Sequence, residues 1–127
     1  MFGDKPMLGS QEITVDEKHR VIVPASTNVE KGEELVLLYD EEFVIYRIYT
    51  YAQIISKFEE INRKIKNATN DKEERRYKEQ LLKLSKSIIN ASTVDGNRRF
   101  NISNKFTKGD KLNCIGANDH LILELKI

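Results

Sequence analysis

Apolar and polar residues alternate with a period of two near both ends of this chain and with a period between three and four in its middle third. Over residues 10–15, Ile13 and Val15 alternate with Gln11 and Thr14, which predicts a strand. Residues 16–19 then turn the chain into a second strand over 20–23, so the pattern predicts a hairpin with a charged tip. Pro24 stops that strand because it has no amide hydrogen to give a ladder, and its fixed φ suits the first turn of a helix. Residues 25–31 have room for one or two helical turns before Gly32. The runs 35–39 and 43–46 are apolar and β-forming, parted by Asp40, Glu41 and Glu42, and predict a second hairpin. Both are apolar on successive residues, so both faces are expected to be covered.

In the middle third, Ile54, Phe58, Ile61 and Ile65 fall on one helical stripe, and Thr50 with Gln53 has the spacing of a capping box. Asn67 to Asn70 is a polar break, and Asp71 with Glu74 offers a second helix start. Tyr77, Leu81, Leu84 and Ile88 form a second stripe, carried through Ile89. Two antiparallel helices joined by a short turn follow, with charged outer faces that suit solvent. Strand patterns resume at 92–94, 99–102, 111–115 and 121–125, with Asn118 and Asp119 placed for the last turn.

These strands belong to a duplicated unit. VDEKHRVIVPA at 15–25 returns as VDGNRRFNISN at 94–104, and in each copy Thr-Val-Asp leads an arginine four residues after the aspartate. A Lys-Gly-acid turn follows each, at Lys31, Gly32, Glu33 and at Lys108, Gly109, Asp110. In the shorter second copy Ser103 replaces Pro24, so its connecting helix is expected to shrink to a single turn.

Composition narrows the function. Lysine and arginine number 21 against 20 acidic residues in 127, so any affinity for a polyanion must come from a local cluster. Cys114 is the only cysteine, which excludes an internal disulfide and leaves no zinc cluster. No apolar run is long enough for a membrane span and no signal peptide is expected, so a cytoplasmic protein is anticipated and the sequons at Asn67, Asn90 and Asn101 carry no weight. Residues 1–6 lack periodicity and are expected to form a loose leader. Enzyme readings fare poorly. His19 and His120 lie in different repeats, His120 corresponds to Phe43 as a packing position, and Cys114 sits in a strand.

The paired motifs resemble the MraZ family, each half of which resembles the SpoVT/AbrB type of swapped-hairpin DNA-binding unit. The resemblance rests on Gly9, on Asp16 and Arg20, on Val23, Pro24 and Ala25, and on the second Asp-x-x-x-Arg at Asp95 and Arg99. It implies an α+β fold, a duplicated swapped-hairpin β-barrel with AbrB-like repeats at 8–48 and 91–127 and a helical hairpin at 49–90, in a single domain. It also implies assembly of many subunits into a ring, binding to repeated operator DNA, and association with the nucleoid. Where the family usually has glycine before the motif arginine, this chain has His19 and Arg98. If that glycine serves a positive φ, histidine tolerates the conformation moderately and arginine less well.

The chemistry of the two tips suits a nucleic acid. Arginine can grip a phosphate, or the O6 and N7 edge of guanine, with two hydrogen bonds, which makes Arg20 and Arg99 the first DNA-binding candidates. Lys18 and Arg98 are expected to add charge, and Asn97 and His19 to hydrogen-bond to phosphate or base edges. Asp16 and Asp95 would repel phosphate, so they are assigned to structuring the turn by accepting backbone amides. The competing reading is that each Asp-Arg pair only closes its turn by a surface ion pair; two copies with basic neighbours favour binding. No cofactor, metal or catalytic residue is expected. The partners expected are double-stranded DNA and further copies of the chain, in a sequence-specific transcriptional regulator. The alternative is a protein-binding module, such as an antitoxin-like or assembly component, with little affinity for DNA.

Overall fold

The computed structural model describes residues 6–126. In chain order the elements are β1 (Ser10–Thr14), β2 (Arg20–Ile22), a 3-10 turn (Ala25–Thr27), β3 (Glu34–Asp40), β4 (Ile45–Thr50), α1 (Tyr51–Lys66), α2 (Asp71–Ser87), β5 (Ile88–Thr93), β6 (Arg99–Asn101), β7 (Lys111–Gly116) and β8 (Leu121–Leu125). The fold is α+β, with a six-stranded antiparallel sheet ordered β1-β7-β8-β4-β3-β5 and a two-stranded sheet of β2 and β6. No ladder closes the six strands into a barrel among the described residues.

The first strands of each copy pair with the other copy. The expected hairpin over 10–23 does not form as a ladder, and the strands at 92–94 and 99–102 likewise do not pair with each other: β1 pairs with β7, β5 with β3, and β2 with β6. At Val15 and Val94 both backbone groups are taken by the other copy. The Val15 amide donates to the Asp110 carbonyl at 2.9 Å, and the Val15 carbonyl accepts from the Gly109 amide at 2.9 Å. Val94 does the same with Glu33 and Gly32, at 2.8 and 2.7 Å. The Lys-Gly-acid turn of each copy therefore anchors the Thr-Val-Asp of the other. Gly32 and Gly109 have φ of +86° and +91°, a conformation open to glycine without strain. The strand order reads the same from either end once copies are exchanged, which is pseudo-two-fold symmetry between β4 and β8.

The main core draws on both copies: Val15, Val21, Val23, Leu35 and Leu37 from the first, Val94, Phe100, Ile102, Leu112 and Leu123 from the second. Cys114 is buried there, and burial pushes its thiol up to about 11. Alternate residues of β3, Val36 and Leu38, face the other way and pack with Ile54 under the helical pair, so both faces of β3 are covered as expected. Thr50 and Gln53 form the predicted capping box, with the Gln53 amide donating to Thr50 Oγ1 at 3.0 Å and the Thr50 amide to Gln53 Oε1 at 2.8 Å. No described helix is long and apolar enough to cross a membrane.

Several boundaries differ from the pattern, each for a local reason. The 3-10 turn stops at Thr27 because Asn28 takes φ +65°, which ends the helical bonding expected through residue 31. The second copy keeps no helix there, and Ser103 takes φ +66°. Strand β4 starts at Ile45 rather than 43, since Asp40 Oδ1 accepts the amides of Glu42 and Phe43 and draws them into the turn. Asn70, not Asp71, caps α2 by accepting the Glu73 amide at 2.8 Å. Helix α2 ends at Ser87 because Ile88 pairs with Leu38 of β3, and Ile89, at the register shift that follows, packs against the main core. The leader expected at 1–6 lies outside the described residues up to position 5; the Pro6 carbonyl is held by Asn28 Nδ2 at 2.7 Å, and Met7 is buried in the core. Gly116 is required by proximity, since a Cβ there would come within 2.5 Å of the Leu8 backbone.

Candidate nucleic-acid interface

Each Asp-x-x-x-Arg segment folds into the same loop. Asp16 Oδ1 accepts the amides of Lys18 and Arg20 at 2.9 and 2.8 Å, and Asp95 Oδ1 accepts those of Asn97 and Arg99 at the same two distances. The Asp16 amide donates to the Arg20 carbonyl at 2.9 Å and the Asp95 amide to the Arg99 carbonyl at 3.0 Å, closing each neck. The remaining carboxylate oxygen accepts from the arginine Nε, at 2.9 Å from Arg20 and 3.3 Å from Arg99. Partial desolvation works against ionisation of Asp16, but the Arg20 and Lys18 amides and the Arg20 guanidinium outweigh it and hold the carboxyl below its ordinary range. At Asp95 the Arg99 amide is the largest influence and the result has the same sign. Both aspartates thus take the turn-structuring place expected of them.

The two arginines share one surface. In the β2–β6 ribbon Val21 lies opposite Phe100, and both point into the core at 2% and 0% exposure. Side chains alternate along a strand, so Arg20 and Ile22 on β2, with Arg99 and Asn101 on β6, occupy the outer face. Arg20 is opposite Asn101 and Arg99 opposite Ile22, which makes the arginines diagonal neighbours about 7–8 Å apart. Each engages its aspartate through Nε, and the two arginine side chains are 24% and 32% exposed.

The flanking residues divide. Lys18 and Asn97 are exposed at the ends of the loops, beside the shared face. His19 and Arg98 both adopt the left-handed conformation, with φ of 59° and 63°, so the position that favours glycine is occupied here by larger side chains. Those side chains turn across the ribbon. His19 Nδ1 donates to the Phe106 carbonyl at 2.9 Å. Arg98, expected to add charge beside Arg99, instead donates through Nε to the Val23 carbonyl at 2.8 Å and through Nη2 to those of Pro24 and Val29 at 3.1 and 2.7 Å. Each loop is therefore braced against the opposite copy.

Two members of the outer face, Ile22 and Asn101, are not part of the motif. The alternation that points Val21 inward was the signal that could have found Ile22. His120 lies elsewhere, stacked on Tyr49, with Nε2 accepting from Arg47 and Nδ1 donating to Asp119, both at 2.7 Å. The β4–β8 register centres on Arg47 opposite Ile122, which makes His120 the counterpart of Ile45 rather than Phe43. No group of three or more His, Cys, Asp or Glu among the described residues is placed to hold a metal. No family model matches the chain, and no curated protein matches it.

Proposed function

We propose that the chain is a sequence-specific, duplex DNA-binding transcriptional regulator resembling MraZ, which presents its β2–β6 ribbon to the major groove. The observation that carries this is the ladder register placing Arg20 and Arg99 on one outward face. A two-stranded ribbon is one of the two elements a major groove admits, and arginine forks match guanine edges and phosphates. The interleaving of the two copies supports a swapped-hairpin unit in which one chain supplies both halves of a pseudo-symmetric reader. Lys18 and Asn97 extend the face towards the flanking phosphates. The inward hydrogen bonds of His19 and Arg98 favour a bracing role for both.

Binding by one subunit would be weak. About four neutralised phosphates give a salt exponent near −3.6, so useful affinity calls for several subunits, such as a ring, on repeated sites in the nucleoid. The test is a gel shift with duplexes enriched by the wild-type protein. Arg20→Ala with Arg99→Ala is expected to abolish the shift while native mass and circular dichroism stay unchanged; an undiminished shift rejects the reading.

A second reading, a protein-binding module, is favoured by the β3–β4 turn. Phe43 and Val44 are 63% and 70% exposed there, and Val44 holds φ +56°, which is unusual for a β-branched residue. Co-purification of a stoichiometric protein partner, lost on Phe43→Ser and unaffected by salt-sensitive DNA competition, would support that module instead.

A further inference from the structure

The pseudo-two-fold relation of the ribbon centres on Val21 and Phe100 and sorts its four outward side chains into two equivalent pairs, Arg20 with Arg99 and Ile22 with Asn101. The first pair is chemically identical. The second is not, and its two members are used differently. Asn101 is spent within the protein: Oδ1 accepts from the Ser103 amide at 2.8 Å and from Asn90 Nδ2 at 3.3 Å, and Nδ2 donates to the Lys18 carbonyl at 3.3 Å. Ile22 has nothing to donate or accept, and it stands 59% exposed on a face whose other three members are polar. Its cross-strand neighbour is Arg99, with Cβ atoms about 5 Å apart in such a pair.

We infer that Ile22 reads the methyl group of a thymine in the base pair next to a guanine held by Arg99. The inference rests on the DNA-binding reading proposed above. In the major groove the thymine C5-methyl is the apolar feature a branched aliphatic side chain can contact, and successive bases lie about 3.4 Å apart along a strand. A side chain directly across the ladder from a guanine-gripping arginine reaches the neighbouring pair. Asn101, already committed to the protein, makes no matching demand on the Arg20 side. The target of one chain is then a pseudo-palindrome with matching arginine positions and a thymine required in one half alone.

The test uses the full chain and a duplex enriched by it from a randomised library. Each thymine is replaced singly by deoxyuracil, which lacks only the methyl, and affinity is read by fluorescence anisotropy at fixed salt. One replacement, beside a guanine, is expected to weaken wild-type binding about fourfold, the worth of one buried methyl. Ile22→Ala should bind the thymine and uracil duplexes alike. Wild-type indifference to every uracil, or a discrimination that survives in Ile22→Ala, overturns the role of Ile22 while binding through the arginines stands. Failure of the wild type to enrich or bind any duplex overturns the DNA reading and this inference together.

Discussion

The two tips share a backbone and differ in what holds it. Residues 16–20 and 95–99 place every turn hydrogen bond at equivalent atoms, yet the left-handed position carries histidine in one and arginine in the other. His19 holds the Phe106 carbonyl, and Arg98 holds the equivalent Val29 carbonyl along with two more. A left-handed non-glycine residue costs on the order of 1 kcal/mol, and each side chain offsets that cost by satisfying a carbonyl of the opposite copy. The difference teaches that what is held constant is the carbonyl to be braced. Glycine would supply the turn but not the brace.

The largest expected effect is at the second tip. Arg98→Ala removes three bonds from a charged donor and is expected to destabilise the fold by about 2–4 kcal/mol in urea denaturation. Arg98→Gly should recover about 1 kcal/mol of that, because glycine relaxes the strained φ. His19→Ala breaks a single brace and should cost about 1 kcal/mol, with His19→Gly close to wild type. Equal losses from His19→Ala and Arg98→Ala would break the comparison. Asn101→Ala is expected to loosen the first tip alone, since it releases the Lys18 carbonyl; amide relaxation should rise at residues 17–19 and stay unchanged at 96–98.

Acid provides the finest probe. Asp16 and Asp95 both have carboxyls lowered from 3.8 in the folded chain, so protonation is harder folded than unfolded. Their stabilising contribution is complete above that ordinary value and is lost as pH falls through the lowered one. Carboxyl carbon shifts should follow both groups below pH 3.8, and Asp16→Asn should remove the first tip's transition while leaving the second. A titration above the ordinary value at either tip would contradict the bonding described.

Much of this was legible from side-chain order. The helical pair, its capping box and the equivalence of the arginine loops follow from spacing, because helix periodicity and turn chemistry are local. The exchange of partners was not, since Val15 and Val94 bond to turns 94 and 62 residues or so away in the other copy, and alternation says which face a residue takes but not which strand lies beside it. The inward turn of Arg98 was equally hidden: the motif made it a cation next to a cation, and only the left-handed backbone sends its side chain across the ribbon. Ile22 was overlooked because the apolar run around it reads as core, although its odd-numbered neighbours Val21 and Val23 are the buried ones.

On the proposed DNA-binding reading, duplex affinity measured across a range of salt is the most direct test of whether the two arginines grip one site. Plotted as the logarithm of affinity against the logarithm of salt, wild type should give a steep line, each single Arg→Ala a line of nearly the same slope displaced by about 1–3 kcal/mol, because a guanine contact and not a phosphate is lost, and Arg20→Ala with Arg99→Ala should lose most of the affinity. A double variant that keeps the affinity of the wild type would contradict the account.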